Sequence, residues 1–249
     1  MFKGFYNLTS GVLTHQRNLD VIANNMTNIS TPGYKQDRYT ATTFDEVMYS
    51  RVGNKDSEGP QIGKQSYIRA TSEVITDFTQ GAPEHTGYPL DFAINGQGFF
   101  GIETLDGQRG YTRGGNFSLD EEGYLCLPGM GYVLSPDGQR IQLDTDKISA
   151  DAEGTLHREN GAVLGQIGMF TFPEDTELER TPQGLFIGDN ATVSQEGKML
   201  NGYIERSNTD VVKQMTEMIT FQRSLQSAAS VMKMYDNLMT KATGDVGRL

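Results

Sequence analysis

Glycine and proline divide this chain before any other property does. Of its 29 glycines, 24 lie between Gly53 and Gly202, and all eight prolines fall between Pro32 and Pro182. Both residues interrupt helices, glycine through backbone entropy and proline through its missing N–H and fixed φ. Two long stretches escape them, Val12 to Thr31 and Tyr203 to Thr243. Long helices are confined to those stretches, so helical ends must flank a turn-rich centre. Charge follows the same division. Residues 1–50 hold four bases and four acids, residues 206–249 six bases and four acids, and the centre 11 bases and 24 acids.

Each end carries a helical apolar period. Phe5, Leu8, Val12, Leu19, Ile22, Met26 and Ile29 alternate steps of three and four, with His15 in the one gap. That spacing is close to four heptads of an a/d seam, and Pro32-Gly33 is expected to stop it. At the other end the stripe is Val211, Met215, Met218, Leu225, Ala229, Met232 and Met239, flanked by Val212, Ile219, Phe221 and Tyr235. Ser207 to Asp210 reads as a capping box with Ser207 as N-cap, and Gly244 as the stop. A helix over 208–243 would be roughly 50 Å long. His15, Gln222 and Asp236 sit in or near the seams, where polar residues cost stability but fix register.

The centre predicts short antiparallel strands. Turn dipeptides recur at Asn95-Gly96, Asp106-Gly107, Glu122-Gly123, Asp137-Gly138, Glu153-Gly154, Asn160-Gly161, Glu196-Gly197 and Asn201-Gly202. Strand-like runs lie between them at Leu90–Ile94, Phe99–Leu105, Gly131–Leu134, Val163–Phe172 and Leu185–Ile187. The pattern suggests a sandwich or an irregular barrel. Residues 51–65 have almost no apolar content and read as a polar loop or arm. The expected organisation is α+β. Residues 1–33 and 205–249 form a discontinuous helical domain, 34–79 an extended connecting arm, and 80–204 a β-rich domain.

Chemistry is hard to place on this chain. A formal net charge of −11 argues against nucleic acid, since phosphate neutralisation needs a basic surface. Cys126 stands alone, which excludes an intramolecular disulfide, and is expected to be a buried structural thiol. His15, His85 and His157 show no metal-ligand spacing. Gly96-Gln97-Gly98-Phe99-Phe100-Gly101 matches GxGxxG, with Asp120 about twenty residues on. A dinucleotide site needs a helix to begin there, whereas Phe99 to Leu105 reads as a strand ending in an Asp-Gly turn. Asp120-Glu121-Glu122 and Asp144/Asp146 lack EF-hand spacing or a glycosidase setting and read as solvated surface. No catalytic residue, cofactor, metal or small-molecule substrate is expected. No apolar run of membrane-spanning length exists, and Met1 to Leu19 lacks the apolar region of a cleavable signal.

What remains are the two amphipathic ends. A lone pair would bury one seam and leave Ile219, Phe221 and Tyr235 in water. The sequence therefore favours packing between subunits over a purely intramolecular hairpin, with ordering of the ends on assembly.

The residues themselves resemble a known family. Ala23-Asn24-Asn25-Met26-Thr27-Asn28-Ile29-Ser30-Thr31-Pro32-Gly33-Tyr34-Lys35 is similar to the N-terminal signature of the flagellar rod, hook and hook-associated family. Leu90 to Phe100, Tyr111 to Asp120 continuing through Leu125, and Ser207 to Val212 with Met218-Ile219 and Gln222-Arg223 resemble its later motifs. The resemblance implies a structural protein whose terminal helices join in a coiled-coil-like inner domain, stacked helically into a hollow, torque-transmitting tube. It implies other copies, other rod proteins and hook protein as partners. Passage through the flagellar export apparatus is implied too, without a cleaved signal peptide, with residence in the basal body. The single β domain fits rod proteins of intermediate size, of proximal or distal type; the short arm and the tail beyond the seam tilt toward the proximal type.

The expected assembly interface is Phe5, Leu8, Val12, Leu19, Ile22, Met26 and Ile29 with Asn24, Asn25 and Asn28. From the other end it takes Val211, Met215, Met218, Ile219, Gln222, Leu225, Met232 and Met239. The asparagines are poor helix formers, and hydrogen bonds to neighbouring subunits are one role for them, a solvated helix end the other. A rival from another class is a cell-wall carbohydrate-binding module or hydrolase built on the acidic β domain.

Overall fold

A computed structural model of the chain describes residues 2–43, 47–50, 61–65, 69–158, 160–173, 176–194 and 197–246. The described residues form an α+β structure, with one helix at each end and twenty short strands between. The chain divides into two compact units. One comprises Met1–Thr27, Gln36–Asp77 and Thr209–Leu249, the other Asn28–Lys35 and Phe78–Asn208.

The first, helical unit holds α1 (Phe2–Thr27) and α2 (Val211–Val246), which pack against each other. It also holds β1 (Asp37–Thr43), β2 (Val47–Ser50), β3 (Gln61–Gln65) and β4 (Arg69–Thr76). β1 pairs antiparallel with β4, β2 with β3, and α1 packs on β1 and β4. Of the polar stretch 51–65, residues 51–60 lie outside the described residues. Residues 61–65 are strand rather than loop, because a two-stranded ladder needs backbone partners and not apolar side chains.

Both helix boundaries differ from the periodicity. α1 ends at Thr27, before the proline: Thr27 Oγ1 donates to the Asn24 carbonyl at 2.9 Å, and the Thr31 amide closes a turn on the Asn28 carbonyl. Short polar side chains that bond locally to the backbone compete with the helical ladder. At α2 the N-cap is Asp210 and not Ser207. Its carboxylate accepts the Val212 and Lys213 amides at 2.9 and 3.2 Å, as an N-cap should, and the Gln214 amide bonds to its carbonyl. Gly244 does not stop α2, which runs on to Val246. A single interior glycine costs only about 1 kcal/mol, too little to end a helix alone.

The second, β unit contains β5 (Pro83–His85), β6 (Phe92–Asn95), β7 (Phe99–Thr104), β8 (Arg109–Thr112), β9 (Ser118–Leu119), β10 (Leu125–Leu127) and β11 (Gly131–Val133). It continues with β12 (Ile148–Ala150), β13 (Thr155–Arg158), β14 (Val163–Gln166), β15 (Met169–Thr171), β16 (Glu179–Arg180), β17 (Phe186–Ile187) and β18 (Thr192–Val193). β19 (Lys198–Asn201) and β20 (Tyr203–Glu205) complete it. Its main sheet runs β16-β17-β8-β7-β11-β10-β9, with β15 bridging β7 and β18; β12-β13-β14, β19-β6 and β20-β5 form smaller sheets. None of the described sheets closes into a barrel. The expected run Val163–Phe172 is broken at Ile167-Gly168, whose amides bond to the carbonyls of Gly154 and Leu134.

β7 explains why Phe99 to Ile102 reads as continuously apolar. Phe100 and Ile102 enter the larger core with Phe92, Phe117, Leu125 and Val133. Phe99, pointing the other way, enters a second cluster with Tyr111, Phe170 and Phe186. A strand buried on both faces loses the alternation of a half-exposed one. The GxGxxG run spans the link between β6 and β7, so strand–turn–strand replaces the strand–helix geometry that pyrophosphate requires. The Asp106-Gly107 turn joins β7 to β8 with Gly107 at φ 76°, a conformation glycine adopts without strain.

Phe100 is fully buried and stacks edge-on to Phe117 at 5.1 Å. Phe100→Ala should therefore destabilise the protein by about 3–5 kcal/mol. Urea unfolding followed by far-UV circular dichroism checks this, with Leu105→Ala, at an exposed hairpin residue, as a near-neutral control.

Candidate assembly surface

In the helical unit the side chains that are best hidden are mostly polar. Thr14, Asn25, Thr209 and Gln214 are buried, and Ile22 is the one large apolar side chain buried in this unit among the described residues. Asn25 is the most enclosed of them. Its amide nitrogen donates to the Asp37 carbonyl at 2.7 Å and to Gln214 Oε1 at 3.4 Å, while its oxygen accepts the Asp37 amide at 2.9 Å. One side chain thus ties the end of α1 to the start of β1 and to the first turn of α2. His15 packs on Phe221 with ring centroids 5.7 Å apart.

Apolar side chains instead line the outside of the two helices. Val212, Met215 and Ile219, at steps of three and four along α2, are 74%, 51% and 51% exposed. Further along α2, Val231, Met234 and Leu238 repeat the pattern, and on α1 Phe5, Tyr6 and Leu13 are exposed. A shallow groove beside them is lined by Gly4, Asn7, Leu8, Gly11 and His15.

The expected interface residues are therefore divided. Ile22 and Asn25 face inward; Leu8, Val12, Leu19, Met26, Met218, Leu225, Met232 and Met239 are half-buried; Phe5, Asn24, Val211, Met215, Ile219 and Gln222 are exposed. Asn28 and Ile29 lie beyond the end of α1 and belong to the β unit. Both polar atoms of the Asn25 amide bond within its own chain. Asn28 Oδ1 accepts the Thr31 hydroxyl at 3.2 Å.

The β unit holds a second constellation. Lys35 and Glu205 form an ion pair at 2.6 Å, each 1% exposed. The other Glu205 oxygen meets Arg113 Nη1 at 3.3 Å, and Glu205 Oε1 also accepts the Gly81 amide. Lys35 Nζ donates further to the Thr79 carbonyl at 2.7 Å, and Arg113 to the carbonyls of Ile94 and Gly96. Burial holds the Arg113 guanidinium below its ordinary pKa, against the pull of Glu205 in the other direction. Gly33 makes the approach possible: a Cβ there would overlap the backbone of Arg113 and Gly114, and its φ of 68° suits glycine. Its amide donates to the Glu205 carbonyl at 2.7 Å.

The sequence alone assigned none of these three ions a role. Lys35 and Arg113 stand inside quoted motifs, and a charged residue set among glycines and aromatics was the available signal. Glu205 had none. Every stretch that carried the resemblance through to β8 converges on this point: Pro32 to Lys35, Ile94 to Gly96 and Arg113-Gly114.

Comparison with known proteins follows the same segments. The model of the flagella basal body rod protein family matches residues 5–35, that of the flagellar hook protein FlgE/F/G D1 domain residues 93–163, and that of the flagellar basal body rod FlgEFG protein C-terminal region residues 200–244. The chain is 33% identical to the flagellar basal-body rod protein FlgG of Bacillus subtilis, over 96% of this chain and 97% of that one. It is 30% identical to the flagellar hook-basal body complex protein FlhO of the same organism, over the full length of both. It is 31% identical to the flagellar basal-body rod protein FlgF of Mesorhizobium japonicum, over 94% of this chain and 93% of that one.

Glu205→Gln would leave two buried cations facing a neutral amide. The expected cost is about 3–5 kcal/mol, that of stripping a buried pair of one partner. Chemical denaturation of the full chain checks it, and an unchanged midpoint would contradict a structural role for the cluster.

Proposed function

Because the chain belongs to the family of flagellar basal-body rod proteins, we propose that it is a structural subunit of the rod whose helical unit forms the contacts between copies. The observation that carries this is the inverted burial of that unit. Its interior buries Thr14, Asn25, Thr209 and Gln214, while Val212, Met215 and Ile219 face water. Two helices with so little apolar interior gain little from pairing alone. Contact with further copies would remove the outer stripe from water, at about 25 cal/mol per Å². If each copy offers one face and receives another by a rotation that does not close, the result is an open helical array.

In this role the protein catalyses nothing. Its β unit supplies its own core and projects an acidic surface; its partners are other copies, other rod proteins and neighbouring hook–basal-body components. Torque passes through packing. Family membership supports residence in the flagellar basal body, and delivery by the flagellar export apparatus is part of the same proposal. Among the described residues no helix is long and apolar enough to cross a membrane.

Met215→Asp combined with Ile219→Asp tests the surface without touching the buried residues. Both positions are half-exposed, so the monomer should keep its circular dichroism and melting curve. Expected is loss of rod assembly and of swimming when the variant replaces the natural chain. Undiminished swimming would overturn the placement of the interface.

A further inference from the structure

Asn95-Gly96, Asn160-Gly161 and Asn201-Gly202 mark turns in the β unit, and the same dipeptide carries a chemistry of its own. After an asparagine, a glycine nitrogen reaches the side-chain carbonyl carbon more easily than that of any other residue, because glycine has no Cβ in the way. Whether it attacks depends on three local conditions. The glycine nitrogen must be free to move, the side-chain nitrogen free to leave, and the charge developing on the side-chain oxygen must be stabilised.

Two of the three pairs are locked. Asn95 is laddered to Lys198 in the sheet of β6 and β19. Gly96 is held on both sides, its amide donating to Gln80 Oε1 at 3.1 Å and its carbonyl accepting from Arg113 at 2.9 Å. Asn201 is laddered to Phe92, and its Nδ2 donates to the Pro89 carbonyl at 2.8 Å. Gly202 is buried, with its amide on the Asp91 carbonyl and its own carbonyl accepting the Thr86 and Gly87 amides.

Asn160-Gly161 differs at each point. Both residues and Ala162 are exposed in the turn between β13 and β14. The Gly161 amide bonds locally, to the Arg158 carbonyl at 2.8 Å, and a turn bond of this kind opens by fraying without disturbing the core. A Cβ at Gly161 would meet nothing within 4 Å, so the space around it is open. The Ala162 amide donates to Asn160 Oδ1 at 3.1 Å, where it draws electron density from Cγ and stabilises the oxyanion that attack would form. Among the described residues no bond holds Asn160 Nδ2.

We propose that Asn160 is a site of spontaneous deamidation, with water as the co-reactant. Base removes the Gly161 amide proton, and the nitrogen lone pair forms a bond to Asn160 Cγ. Nδ2 gains a proton and leaves as ammonia with the electrons of the Cγ–Nδ2 bond. Water then adds to either carbonyl of the resulting succinimide ring and cleaves that carbonyl's bond to nitrogen. Opening at Cγ leaves aspartate at position 160, and opening at the main-chain carbonyl leaves isoaspartate. Either product adds a negative charge to the acidic β unit. In the aspartate product the Ala162 amide keeps its acceptor, now a charged one. The step needs no enzyme, so the converted fraction records the age of the chain.

Incubation of the full chain in mildly alkaline buffer, followed by peptide mass spectrometry, tests it. In the folded chain Asn160 should convert at least about tenfold faster than Asn95 or Asn201, and in urea all three should convert at similar rates. Anion-exchange chromatography should resolve the more negative product. Asn160→Gln, whose longer side chain would have to close a larger ring, should remove that peak at an unchanged far-UV circular dichroism spectrum. Protection of Asn160 by folding to the same degree as Asn95 and Asn201 would overturn the proposal. So would persistence of the peak in Asn160→Gln, or conversion of either other asparagine ahead of Asn160 in the folded chain.

Discussion

Glu205 is the residue on which the two chain ends meet. It lies at the end of β20, shortly before α2, and binds Lys35, which lies shortly after α1, and Arg113, which follows β8. The carboxylate is fully engaged by two cations and the Gly81 amide. The excess positive charge is spread onto the carbonyls of Thr79, Ile94 and Gly96. Such a cluster contributes less to net stability than a well-packed apolar one, because desolvation offsets most of the attraction. Its effect is on routing. Lys35, Arg113 and Glu205 are far apart in sequence, and burying them against one another brings their three segments to one point.

The two units divide both charge and apolar surface. The β unit holds 20 acids and nine bases, so the whole formal charge of −11 belongs to it, and the helical unit is neutral with 12 of each. Apolar side chains are divided in the opposite sense relative to water. The β unit hides Phe92, Phe100, Ile102 and Leu125 completely or nearly so, while α2 displays Val212, Met215 and Ile219. A neutral unit with outward apolar stripes can be crowded against copies of itself without net repulsion. An acidic unit resists the same crowding through repulsion of like charge.

The sequence revealed what local spacing encodes. Helix period, turn dipeptides and the false nucleotide fingerprint were all legible, because each rests on residues within one or two turns of each other. The helix ends were not. At Thr27 and Asp210 the outcome depends on which short polar side chain captures which amide, and Ser207 and Asp210 are equivalent candidates until geometry chooses. The inward turn of Asn25 was hidden for a different reason. Its partners, Asp37 and Gln214, lie 12 and 189 positions away, and no periodicity connects them. The ion cluster was hidden likewise: Lys35 and Glu205 are 170 positions apart.

The polar interior of the helical unit then acquires a physical sense. A seam of leucines would hold α1 and α2 together in several registers, since apolar contacts are non-directional. Asn25 fixes one register, because its amide donates to Asp37 and Gln214 and accepts from Asp37 at once. Sliding α2 by one turn would break the bond to the buried Gln214, and sliding α1 would break the bonds to Asp37 as well, at about 1–3 kcal/mol for each buried group left without a partner. Directional bonds inside therefore set the shape of the unit, and the non-directional apolar surface is left outside, facing water. A subunit that must present one fixed face to several copies requires that order, with specificity within the chain and burial between chains.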